Sequence, residues 1–156
     1  MAIYLKFDSI KGGATDKAFK DQIELSSFQW GAGVGVGSPR GGNRTSSEPS
    51  VSEITASKVL DKSSEGLFKA LLKGEPVGKG TVSFTAASKG ESVAYLTLEL
   101  EDVIISGFSV SSGGDVPSES LSLNFTKFDW CYTDRDGKQT GSPTHLVYNL
   151  AENSVG

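Results

Sequence analysis

A chain of 156 residues, 37% apolar with eight Phe, four Tyr and two Trp, can bury one sizeable core, and its length suits a single domain over residues 1–156. Its net charge of −4 comes without any Lys/Arg cluster, which disfavours a nucleic-acid-binding surface, and no apolar run approaches the roughly 18 residues needed to span a bilayer. The single cysteine, Cys131, excludes an intramolecular disulfide and a Cys-rich metal site. Lying between Trp130 and Tyr132 in a strand pattern, it reads as a small packed residue.

The opening MAIYLKFDSIKGG has no basic leader, apolar segment or small-residue cleavage site, so no secretory signal is expected. The chain is expected to start in the cytoplasm and, if exported, to leave by another route. Ile3, Leu5 and Phe7 alternate with polar neighbours and predict a first strand. Ile23 and Leu25 open a second. Its apolar parity then changes to Phe28 and Trp30, which predicts a bulge near Ser26-Ser27. Residues 31–50 hold only Ala32, Val34 and Val36 as apolar side chains among Gly, Pro and polar residues. A long Gly-rich loop of this kind inside a compact domain is usually functional or mobile.

Pairing is expected to resume from Ser52 to Leu60. Ser63 or Ser64 then caps a short helix, Glu65 suits its positive end, and Leu67, Phe68, Leu71 and Leu72 form its apolar stripe. Gly74 is placed at the C-cap, and Pro76 prevents continuation. Val82, Phe84 and Ala86 mark the next strand, and Ser88-Lys89-Gly90 turns it into a long strand over 92–111 with Ala94, Leu96, Leu98 and Leu100 on one face. Leu121, Leu123 and Phe125 give the return strand. Phe128, Trp130 and Tyr132 shift parity, as at a bulge or corner. Asp134-Arg135-Asp136-Gly137 is a hairpin signal, and residues 144–150 form a last strand. Strands of about a dozen residues exceed the roughly 5–6 usual in globular domains. The predicted fold class is therefore all-β: a closed or nearly closed barrel of two packed antiparallel sheets, with one flanking short helix and a long extended Gly-rich loop.

Chemical signatures are weak. Gly31, Gly33, Gly35 and Gly37 follow GxGxGxG spacing without a helix after them, so they lack the form of a dinucleotide site, and GEPVGKG at 74–80 fails as a P-loop. His145 is the only histidine. No GxSxG elbow accompanies it and no nucleophile is visibly paired with it, so it reads as a strand-face residue and the chain as a non-enzyme without metal or cofactor. Glu99, Glu101 and Asp102 read as a solvated or partner-facing sheet surface. The sequons at Asn43 and Asn124 read as chance matches.

Six segments in order resemble the Hcp family, the haemolysin-coregulated proteins that form the inner tube of type VI secretion systems. They are IYLKFDSIKG, IELSSFQWG, SKVLDKSSEGLFKALLKGE, YLTLELEDVIISGFSVSSGG, ESLSLNF and YNLAEN. The last departs slightly, with Tyr148-Asn149 where members commonly carry Trp-Asp or Trp-Asn. The resemblance implies a hexameric ring that stacks head to tail into a tube inside a contractile sheath, topped by a spike protein. It also implies release without a signal peptide and effector cargo held in the ring lumen. Val34, Val36, Pro39 and Arg40 are the expected inter-ring contacts. Gln29, between core-facing Phe28 and Trp30, is the expected lumen residue. A monomeric β-barrel binding module, a phage tail tube protein and a hydrolase using His145 are the alternatives.

Overall fold

The computed structural model describes residues 1–37, 48–133 and 143–156. Pro39, Arg40 and the hairpin signal at 134–137 lie outside the described residues. In chain order the strands are β1 (Ile3–Phe7), β2 (Ile23–Leu25), β3 (Ser27–Gln29), β4 (Ala32–Gly33), β5 (Ser50–Val51) and β6 (Ile54–Val59). The helix α1 (Ser64–Lys73) follows, then β7 (Gly78–Ser88), β8 (Glu91–Ser111), β9 (Ser118–Asn124), β10 (Lys127–Tyr132), β11 (Thr144–Asn149) and β12 (Ser154–Val155).

The strand pairings among the described residues are antiparallel. The first sheet has the order β12-β11-β10-β8-β7-β1-β2. In the second, β6 lies between β3 and β9, and β9 pairs the far half of β8. The two sheets thus share the 21-residue strand β8 rather than forming one sheet closed on itself. The switch is local: Glu101 still pairs Lys127 of β10, whereas Ile104 pairs Asn124 of β9. Between them Asp102 adopts a left-handed φ of +54°, a conformation costly for a residue with a Cβ, which bends the strand from one sheet into the other. The bulge expected near Ser26 is a second switch. Strand β2 pairs β1 of the first sheet, β3 pairs β6 of the second, and the Ser26 N–H donates to the Ser57 carbonyl at 2.7 Å between them.

The core lies between the sheets. Leu5, Phe7, Ile23, Val82, Leu98 and Leu100 of the first sheet meet Ile54, Ile105, Leu121 and Leu123 of the second, with Leu67 from the helix. Trp30 packs edge-on to Phe128 with centroids 4.8 Å apart. The bulge or corner expected before Phe128 is a corner: β9 ends at Asn124 and β10 begins at Lys127 in the other sheet.

The helix departs from expectation at its start. Ser63 occupies the N-cap but makes no side-chain capping bond; its hydroxyl donates instead to Asp61 Oδ1. Gly74 ends the helix with a φ of +66°, and its N–H reaches the carbonyls of Ala70 and Leu71. The apolar stripe is only half used: Leu67 is fully buried, but Phe68 is 45% and Leu72 70% exposed.

An ion pair interrupts the apolar inward face. Lys58 of β6 and Glu119 of β9 are direct cross-strand partners at core parity and are almost fully buried. The Lys58 ammonium bonds Glu119 Oε1, the Ser64 hydroxyl at 3.1 Å and Asp61 Oδ1 at 3.1 Å, and Ser64 Oγ donates to Glu119 Oε1 at 2.7 Å. This cluster ties the helix N-terminus to the second sheet. Burial raises the proton affinity of the Asp61 carboxyl. The Ser63 hydroxyl and amide, the Gly13 amide and Lys58 outweigh that and hold it below its ordinary value.

Candidate functional site

The outward face of the second sheet is built by register. Residues directly opposite in an antiparallel ladder share a face, so the ladders lay side chains out in rows across four strands. One row runs Ser27, Ser57, Ser120, Ser109. The next runs Gln29, Thr55, Ser122, Gly107. Every side chain in these rows is small or neutral and polar, and the Ser27 and Ser57 hydroxyls bond each other at 2.5 Å. Gly107 has no side chain because a Cβ there would lie 2.9 Å from Ser122 Oγ. These two rows offer hydrogen-bond donors and acceptors but no charge and no large apolar side chain; Val59 continues the face by the same register, 51% exposed, and Glu53 borders it, its Oε1 accepting from Asn124 Nδ2 at 3.2 Å.

Gln29 is exposed on this face, with Phe28 and Trp30 turned to the core. It lines a concavity of about 410 Å³ with Trp30, Ser50, Ser52, Glu53 and Thr55. Strands β4 and β5 pair beside it, Ala32 with Val51 and Gly33 with Ser50. The base of the expected structureless loop is therefore a two-stranded arm. Gly31 and Ser52 tie it down: Ser52 N–H donates to the Gly31 carbonyl at 2.8 Å, and Gly31 N–H to Ser52 Oγ at 3.0 Å. Trp30 Nε1 donates to the Ser52 carbonyl at 3.1 Å. Beyond β4, Val34 and Val36 stand 48% and 53% exposed. Gln29 thus lies beside the arm from which Val34 and Val36 continue the chain.

The sequence reading missed the partner of His145. Across the β10–β11 ladder it stands opposite Cys131, and its ring also reaches Asp129. Two residues of this set lie two apart in one strand, but the histidine comes from the next strand, and only the register brings them together. No group of three or more metal-ligating side chains arranged to hold an ion occurs among the described residues, and no described helix is long and apolar enough to cross a membrane.

Comparison with known proteins agrees with this architecture. Hcp1 from Salmonella typhimurium superposes with a TM-score of 0.80 at 23% identity, covering 99% of this chain and 98% of that one. A type VI secretion system effector from Yersinia pestis gives 0.76 at 22% identity, covering 94% and 98%. The structure of a type six secretion system protein gives 0.90 at 24% identity, covering 99% of both chains. Among curated proteins no significant match is found. At these identities the superpositions establish the fold; the sequence family is established separately, by the match of residues 4–132 to the model of the type VI secretion system effector Hcp. The chain belongs to the Hcp family of type VI secretion system proteins.

Proposed function

We propose that this tube protein acts as a hexameric ring subunit, that rings stack head to tail, and that the Ser, Thr and Gln rows on the outward face of the second sheet line the lumen. The observation that carries the reading is the exposed arm. Val34 and Val36 stay about half exposed on the single chain, on a tethered two-stranded base that aims them away from the core. Phe68 and Leu72 leave a second apolar surface on α1, and a closed ring that also stacks needs more than one such surface. Barrel closure belongs to the same reading. The shared strand β8 and the switch at Ser26 give the two sheets continuous chain at both seams.

A lumen wall of Ser, Thr and Gln suits varied cargo. Hydroxyls can bond many polar surfaces weakly, and rows without charge do not reject either sign. Effector cargo, the spike and the sheath are the partners, and release follows sheath contraction.

Size-exclusion chromatography with light scattering and negative-stain imaging tests the proposal. The expected result is rings with a mass near six times the 16.4 kDa chain. Val34→Asp/Val36→Asp is expected to keep the ring and shorten stacks, and Gln29→Trp to keep the ring and reduce cargo retention. A compact monomer at high concentration would overturn the ring, and long stacks from the Asp variant would overturn the arm's role.

A further inference from the structure

Cys131, His145 and Asp129 lie on the outward face of the first sheet, opposite the core-packed Trp130 and Phe128. Cys131 Sγ is 3.6 Å from His145 Nε2, and His145 Nδ1 is 3.0 Å from Asp129 Oδ1. A carboxylate on Nδ1 holds the neutral ring with its proton on that nitrogen, which leaves the Nε2 lone pair facing the thiol. The same carboxylate stabilises the imidazolium that forms if the thiol proton moves. The cysteine is partly buried and the histidine beside it about half exposed.

The geometry points to a nucleophilic thiol site at Cys131, with His145 as its base and Asp129 as the positioning residue, that undergoes exchange with small neutral or cationic disulfides. Cys131 Sγ attacks one sulfur of R–S–S–R as its proton passes to His145 Nε2. A bond forms between Sγ and that sulfur, and the old S–S bond breaks. The departing RS⁻ takes the proton back from the imidazolium and leaves as RSH. The disulfide reagent is the oxidant, and Cys131 ends as a mixed disulfide.

Two further observations select this chemistry. Strand β10 is paired on both sides, by β8 and β11, so its ladder N–H groups are occupied and none is left to hold the oxyanion that acyl transfer requires. Thiol–disulfide exchange needs no such hole. The charge around the sulfur sets the reagent class. On β8, Thr97 stands opposite Cys131 and exposed Glu99 stands opposite Asp129. Glu101 and Lys127 oppose each other one row further along. Among the described residues, the charges next to the sulfur along the ladder are therefore two carboxylates, which repel an anionic reagent and attract a cation. This inference does not rest on ring assembly.

Because the chain has one cysteine, every thiol reaction reads this site alone. The test is the second-order rate with neutral dithiodipyridine at pH 7, on the native full chain and on the same chain unfolded in urea. A half-buried thiol without a base reacts more slowly folded than unfolded. Here the native rate is expected to exceed the unfolded rate about tenfold or more. His145→Asn is expected to bring it to the unfolded rate or below, with far-UV circular dichroism unchanged. Asp129→Asn is expected to lose most of the gain and Asp129→Glu to restore part of it. The native-to-unfolded ratio is also expected to be higher for cystamine than for anionic dithiobis(nitrobenzoate), and Glu99→Gln is expected to narrow that difference. A native rate below the unfolded one, or a native rate untouched by His145→Asn, would overturn the assignment.

Discussion

Removing the Lys58 ammonium is the sharpest probe of the buried cluster. In Lys58→Met the side chain keeps its length and loses three charge-assisted bonds, to Glu119, Asp61 and Ser64. What remains is a Glu119 carboxylate 1% exposed, with Ser64 as its one donor and Oε2 already without a partner among the described residues. Breaking a buried pair from one side typically costs about 3–5 kcal/mol, against the roughly 5–15 kcal/mol of a whole domain. For a domain of this length that corresponds to a fall in Tm of about 6–20 °C. Lys58→Met/Glu119→Leu removes both charges and places apolar volume beside Leu121 and Ala56, so most of the loss should return. Urea unfolding of both variants and of Glu119→Leu, at one fixed protein concentration because assembly couples to stability, completes the cycle. A loss under about 1 kcal/mol in Lys58→Met, the size of a surface pair, would refute the reasoning. A double variant no better than the single one would refute it too.

Asp61 supplies a pH dependence. Its folded-state proton affinity is depressed, so its contribution is fully present above its ordinary carboxylate value of 3.8 and is lost as pH falls through the lower folded value. Asp61→Asn should therefore be less stable than the parent at pH 7 and show a shallower decline below pH ~4, read by urea midpoints across an acid series. Gly12→Ala should destabilise by about 1–3 kcal/mol, since its Cβ would sit 2.4 Å from the Gln22 carbonyl and 2.6 Å from Ile23 Cα, both backbone atoms that cannot swing aside. Gly33→Ala, with nothing within 4 Å of its Cβ, is the matched control and should change the melting temperature little.

Much of this architecture can be read from local pattern. Alternation in Ile3–Phe7, in Glu91–Ser111 and across Leu121 and Leu123 marks strands and their buried faces, because side chains in a strand point to opposite sides with period two. The apolar stripe and Gly74 delimit helix α1 for equally local reasons. Those same patterns are silent about neighbours. Lys58 and Glu119 look like ordinary surface charges in sequence; 61 positions apart, they become a buried pair only because β6 and β9 align in one register. Cys131 meets His145 because β11 returns along β10, and Ser27, Ser57, Ser120 and Ser109 form one row because four strands come into line. Phe68 and Leu72 follow helical periodicity yet remain exposed, since a stripe states which side is apolar and not how wide the covering surface is. Local sequence determined which residues extend or coil and which face of each is apolar. Strand order and register were decided by the tertiary structure, because they depend on how all the apolar faces close over one core at once.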